Sequence, residues 1–390
     1  MRILLFIPQH TFSIDANREL VSMLNERFNA QGEKDDIRAI ISHTYSPQIL
    51  QDINIVHIFG CWNHTAAKVM QKATKAGIPT VFSPLGGLEP WTMKGKTTTR
   101  DIQKNLYQRR MVKQASAIHI GGKFENEMFS RLRWNNKVAI IKNPVLTSLV
   151  TPDEMVRQML VLYRKVFDSN VYSLMSRNAI NALSYILYAA ICKDLSKMPQ
   201  ALNAAIAEVE KIDNEDWRNI CIYATDEHIA DYIAHGISKL STKYSMIDID
   251  SSNRFMPKQE YQDGNLRADD ILSSNIMLKS KVEDIASDDQ QTERELCMMI
   301  LNAKYEIAHN SLPLRHIVNL AERLINDDYD EDVLATMLDE TNATTFMARL
   351  ETSMTYITHL SEGYMPIKPI DNKSAKELTE IITKLKYTLQ

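Results

Sequence analysis

Glycine is concentrated at one end of this chain, and that bias constrains the fold more than any other single feature. Of 11 glycines in 390 residues, eight lie before residue 123: Gly32, Gly60, Gly77, Gly86, Gly87, Gly95, Gly121 and Gly122. Only Gly236, Gly264 and Gly363 follow. Glycine supplies the positive φ and close backbone approach that strand-to-helix turns of an α/β sheet use repeatedly. Helices need neither. A sheet-containing first part and a helical remainder are therefore expected.

Hydrophobic periodicity points the same way. Short apolar runs at 3–7, 37–41, 53–59, 79–83, 117–120 and 138–141 predict strands. They alternate with helical patterns at 15–29, 64–76, 101–114 and 125–132. Strand, helix, strand in this rhythm means a parallel sheet with right-handed crossovers. From about 152 onward, apolar residues recur three and four apart over 153–167, 172–193, 200–211 and 226–240. The same spacing returns over 293–309, 314–325, 331–338, 345–360 and 374–389. The stretch 241–289 is polar and weakly periodic, which predicts a long loop or linker with a short helix near Ile276. The expected organisation is an α/β domain over 1–150, a helical region over 151–240, the linker over 241–289 and a second helical region over 290–390.

Forty-five basic against 49 acidic residues give a net charge of -4 without a long block of one sign, so a nucleic-acid partner held by a basic field is not expected. Cys61, Cys192, Cys221 and Cys297 form no CxxC pair, which argues against a zinc site or disulfide framework. The apolar run 3–7 stops at Pro8 and reads as a buried strand rather than a signal peptide. The longest later apolar stretch, 182–192, is broken by Ser184, Tyr185 and Tyr188 and falls short of the ~20 residues of a membrane span. No transmembrane segment is expected. The expected location is cytoplasmic, with peripheral membrane contact left open.

Three patches carry a resemblance. Ile55 to Trp62 (IVHIFGCW), Ser83 to Trp91 (SPLGGLEPW), and Ile118 to Glu125 (IHIGGKFE) with Ile140 to Val145 (IIKNPV) resemble, in order and spacing, three motifs of glycosyltransferase family 4. The middle patch is the most specific, because Ser-Pro, paired glycines and Pro-Trp within nine residues is a rare combination. The match covers residues 1 to about 150. It implies a Rossmann-like domain with a parallel sheet, half of a GT-B fold, of the half that holds the acceptor. A mostly α-helical region then follows. It also implies a saccharide or lipid-linked saccharide as ligand and a bacterial surface-polysaccharide pathway.

In open parallel sheets, ligands bind beyond the carboxyl ends of the strands, where all three patches fall. His57, Trp62, Gly86, Gly87, Glu89, Trp91, His119 and Glu125 are the candidate sugar-binding residues. Aromatic faces stack on a sugar ring and carboxylates accept its hydroxyl hydrogens. Six of the eight have a structural alternative. The two tryptophans can be core residues, His57 a satisfied buried histidine, Gly86-Gly87 a shaped turn, and Glu125 a partner of a helix dipole. Cys61 reads as an inert small hydrophobe. No catalytic residue is assigned.

The chain also departs from the family. Its first turn, Pro8 to Ser13, has no glycine, and Leu85 stands where the family places a histidine or arginine. Beyond residue 150 no glutamate pair with the family's spacing and setting is found, and no strand, glycine-rich loop and helix unit appears. The acidic run Asp327 to Asp332 reads as helix caps rather than a metal site, and none is expected. Arg315 and His316, after Pro313, read as a structural joint, with a phosphate site as the alternative. Three functions stay open: a transferase homologue that binds an acceptor but has lost its donor domain, an active enzyme with a helical second half, or a non-enzymatic protein whose helices meet a partner. No cofactor is expected, only a nucleotide-sugar co-substrate if transfer takes place.

Overall fold

The computed structural model describes residues 1–94, 97–250, 254–255, 276–285, 290–308 and 312–383. The chain divides into two compact units, one built on Met1–Asn170 and the other on Val171–Asp250 with the helices that follow. Among the described residues no strand lies beyond Ile140, and no helix is long and apolar enough to cross a membrane.

The first unit is a six-stranded, all-parallel sheet of β1 (Arg2–Phe6), β2 (Arg38–Ser42), β3 (Ile55–Phe59), β4 (Thr80–Ser83), β5 (Ala117–Ile120) and β6 (Val138–Ile140). Its order is β2-β1-β3-β4-β5-β6, so the chain reverses direction across the sheet between β1 and β3. Every residue of β3, β4 and β5 is buried, as expected for parallel strands covered on both faces.

Alternation along β1 sends Ile3, Leu5 and Ile7 to one layer and Leu4 and Phe6 to the other. The first layer contains α2 (Asp15–Asp35), through Leu20, Leu24 and Phe28, and α8 (Pro152–Asp168), through Met155, Met159 and Tyr163. The second contains α3 (His64–Lys75), through Val69 and Met70, and α6 (Arg109–Gln114), through Met111 and Val112. Three further helices decorate the strand ends: α1 (Gln9–Phe12), α4 (Pro90–Lys94) and α7 (Lys123–Ser130). Helix α8 heads the helical stretch in the sequence, yet its apolar face completes the sheet's core. Thr151 caps it by accepting the Glu154 N–H, and Pro152 takes the first turn.

The helix expected over 101–114 starts earlier and is not uniform. Residues Thr97–Gln103 form α5, Lys104–Gln108 make a π-helical turn, and α6 follows. The extra residue rotates Gln108 inward, where it is fully buried.

Among its described residues the second unit's regular elements are all helices: α9 (Val171–Leu174), α10 (Arg177–Ile191), α11 (Pro199–Glu210), α12 (Asn214–Asp226), α13 (Ala230–Lys239), and then Ile276–Ile285, Gln291–Ala308, Leu314–Asn326, Glu331–Glu340, Thr344–Thr358 and Lys373–Thr383. Two local readings are corrected. Residues 226–240 are not one helix, because His228 sits at φ 57° between α12 and α13. Helix α12 itself was missed, although Asp213 caps it by accepting the Glu215 and Asp216 N–H groups. Helix α13 crosses α10 closely, since a Cβ on Gly236 would stand 2.3 Å from the Ile186 carbonyl oxygen. Of the linker expected over 241–289, residues 241–250 carry no helix or strand and the short helix is Ile276–Ile285; most of the remainder lies outside the described residues.

Candidate functional site

Two of the candidate histidines belong to one buried chain of hydrogen bonds under the strand ends. Tyr163 Oη lies 2.8 Å from His57 Nδ1, and His57 Nε2 lies 2.7 Å from Ser83 Oγ. Ser83 Oγ lies 2.6 Å from His119 Nδ1, and His119 Nε2 lies 3.0 Å from the Ile141 carbonyl oxygen. His57, Ser83 and His119 are each at most 3% exposed. Burial lowers the pKa of His57 well below the ordinary range, with the neighbouring His119 adding to the effect, and lowers that of His119 to about 4.

Both rings are therefore neutral near pH 7, and the end of the chain fixes its direction. The Ile141 carbonyl only accepts, so His119 carries its hydrogen on Nε2 and accepts from Ser83 at Nδ1. Ser83 then accepts from His57 Nε2, and His57 Nδ1 accepts from the Tyr163 hydroxyl. Every donor has one acceptor. This arrangement ties β3, β4, β5 and α8 together and leaves His57 no free nitrogen for a ligand.

Above this chain the loop after β4 makes a tight reversal. Leu85 and Gly86 have φ 52° and 74°, and the Gly87 N–H donates to the Pro84 carbonyl oxygen at 3.0 Å. Two successive left-handed residues closed by that bond form a type I′ turn. Leucine at the first position carries strain of ~1–2 kcal/mol. A Cβ on Gly87 would come within 2.8 Å of Cys61 Cβ, so the second glycine is sterically required. Trp62, itself at φ 62°, holds the turn: its indole N–H donates to the Gly87 carbonyl oxygen at 2.7 Å and the Arg100 guanidinium covers its ring at 4.6 Å. The buried Gln108 accepts the Trp62 backbone N–H at 2.7 Å. With its indole nitrogen bonded and its face occupied, Trp62 supports the loop. Burial pushes the Cys61 thiol well up, and the nearby Glu125 charge pushes the same way, so this cysteine is unreactive.

Glu125, in the first turn of α7, accepts the Gly86 N–H at 2.7 Å and the Gly121 N–H at 2.9 Å. One carboxylate thus clamps the loop after β4 to the loop after β5. Glu89 stands beside it, half-buried, with its pKa raised by burial and further by the Glu125 charge. These residues border a cavity of about 460 Å³, lined among others by Leu85, Gly86, Glu89, His119, Gly121, Glu125, Lys142 and Asn143. That volume lies within the ~300–1,000 Å³ of small-molecule sites. Trp91 and Phe124, adjacent in sequence to the two glutamates' segments, stack with ring centroids 5.7 Å apart and an angle of 18°. They are 56% and 54% exposed. The pair presents apolar ring surface to solvent.

Comparison with family models, curated proteins and solved structures gave no match.

The structure thus gathers the eight candidates into one region and sorts them. Gly86, Glu89, His119 and Glu125 reach the cavity, Trp91 stands exposed beside this region, and His57, Trp62 and Gly87 hold the scaffold. The sequence reading missed Tyr163, Phe124, Lys142 and Asn143. Phe124, Lys142 and Asn143 fall inside the quoted motifs, whereas nothing in the sequence pairs Tyr163 with His57.

Crevices in sheets of this order open where the chain reverses, between β1 and β3. Here Thr11 fills that place: a Cβ on Gly60, at φ 86°, would come within 2.8 Å of two Thr11 atoms. The cavity is displaced toward β4, β5 and β6. In the second unit, Asp330 caps the helix Glu331–Glu340 by accepting two backbone N–H groups, and Asp327 pairs with Arg323 at 2.6 Å. Arg315 binds the His228 carbonyl and Asp231, His316 meets Glu306, and the Glu227 carboxylate accepts the Leu314 N–H at 2.7 Å. The anion position at that helix start is filled by the protein itself. Among the described residues no group of three or more His, Cys, Asp or Glu side chains could hold a metal ion.

Proposed function

We propose that the first unit binds a saccharide, free or lipid-linked, in the cavity at the ends of β4, β5 and β6, as a homologue of glycosyltransferase family 4 that retains the acceptor side and has no recognisable donor domain in this sequence. The observation that carries this reading is the exposed Trp91–Phe124 stack, whose members lie two and one positions along the chain from the cavity-lining Glu89 and Glu125. A sugar ring offers an apolar face to the aromatics and hydroxyl donors to a carboxylate. Two features support the lack of a donor site. No strand lies beyond Ile140 among the described residues, and the Gly86 and Gly121 N–H groups in the loops after β4 and β5, which an anion would need, are both taken by Glu125.

Titration calorimetry of the full chain against neutral oligosaccharides and UDP-, GDP- and ADP-sugars tests the proposal. Oligosaccharide binding is expected, weakened about tenfold by Trp91→Ala through loss of roughly 1–1.5 kcal/mol of stacking, with no heat from the nucleotide-sugars. Nucleotide-sugar binding would favour the active-transferase reading. Absence of any saccharide binding, or indifference to Trp91→Ala, would remove the proposal.

A further inference from the structure

Building on the saccharide reading, we infer that the cavity selects a saccharide bearing a protonated amine and rejects one bearing an acidic group. The charged side chains lining it are Glu89, Glu125 and Lys142, two negative and one positive, while His119 is neutral. The two carboxylates differ in what they have left to offer. Glu125 is committed, accepting the Gly86 and Gly121 N–H groups. In doing so it occupies two main-chain donors at the cavity that an anionic ligand would use.

Glu89 is not committed. Its backbone takes part in the turn, but its carboxylate has no hydrogen-bond partner among the described residues. Oε2 stands 3.5 Å from where a Cβ on Gly86 would be, so it lies over the bare α-carbon of that glycine at the cavity wall. A partly buried carboxylate beside a second one is relieved by an ammonium group more than by a neutral hydroxyl. An acidic ligand would face both. Lys142 is exposed, on a flexible stem, and screened by water, so it offsets little of that repulsion.

The experiment titrates the full chain, just below neutral pH, with three matched disaccharides: one of glucosamine with free amines, its N-acetylated form, and one containing glucuronate. The free-amine form is expected to bind about fivefold more tightly than the acetylated one, the scale of a partly exposed ion pair. No measurable binding of the acidic form is expected. Glu89→Gln, nearly isosteric, should bring the amine-to-acetyl ratio close to one. Should that variant fold poorly by circular dichroism, the same ratio in the unaltered protein must fall as salt is added. An acidic disaccharide that binds as well as the acetylated one, or a ratio insensitive to both Glu89→Gln and salt, overturns the inference while leaving saccharide binding intact. If none of the three binds, the saccharide reading falls with it.

Discussion

Ser83 stands at the middle of the buried chain and is both an acceptor, from His57, and a donor, to His119. Ser83→Ala leaves an N–H and a ring nitrogen unpaired at sites with no access to water, at about 1–3 kcal/mol each. Tyr163→Phe removes only the donor to His57 Nδ1. Urea unfolding should therefore show Ser83→Ala destabilising by roughly twice as much as Tyr163→Phe. Equal losses would contradict the one-directional chain. His57, Ser83 and His119 were all visible in the sequence as members of motifs, and a satisfied buried histidine was one of the readings of His57, but the partners that make it so were not. A histidine's function depends on which nitrogen is free, and His57 is closed off by Tyr163, 106 residues away.

The decisive element is the turn Pro84-Leu85-Gly86-Gly87. An added Cβ at position 87 meets Cys61 Cβ at 2.8 Å and Sγ at 2.9 Å, and the Pro84 carbonyl oxygen at 3.0 Å. Gly87→Ala must push the turn off Cys61, displacing the Gly86 N–H from Glu125. The expected cost is ~1–3 kcal/mol, with loss of saccharide affinity, measurable by thermal unfolding and titration on the same variant. Adding Cys61→Ala should not rescue it, because the obstructing Cβ remains; rescue would mean the turn is held otherwise. That this loop is shaped was legible from its paired glycines and flanking prolines. That Leu85 adopts a left-handed conformation was not, since leucine avoids that region and only the clamp from Glu125 and Trp62 makes it tolerable. Likewise a 3.6-residue period revealed a helix near 101–114 but not the π-helical turn that aims Gln108 at Trp62.

At the scale of the molecule, the two units carry buried titratable groups that respond oppositely to pH. In the first, His119 is lowered to about 4 from an ordinary 6.5, and His57 is lowered too. Below pH 6.5 the unfolded chain binds protons that the folded unit refuses. The stability from these neutral rings is full above 6.5 and lost as pH falls toward 4. In the second, Glu351 is fully buried, its Oε1 accepting the Ile367 N–H, and burial raises its pKa to about 8 from 4.5. Its contribution is full below 4.5 and lost as pH rises through 8. His359, also lowered by burial, opposes this in the same unit. Glu351→Gln mimics the protonated acid and isolates the effect. Hydrogen exchange over the second unit should show this variant gaining protection relative to the unaltered chain as pH rises from about 5 to about 8. No gain would mean that Glu351 is charged and compensated in the fold.

By itself, the sequence determined the class of each unit. Glycine placement and the period of apolar residues are local properties, and they alone separate a parallel α/β sheet from a run of helices. They also located the strand ends where the candidate residues cluster. Only the tertiary structure decided that α8 completes the sheet's core, that Glu125 is spent on two backbone donors while Glu89 is not, and that Trp62 is covered while Trp91 is open. The physical reason is the same in each case. A polar or aromatic side chain is available to a ligand only to the extent that no other part of the chain has already satisfied it, and those partners come from segments far apart in sequence.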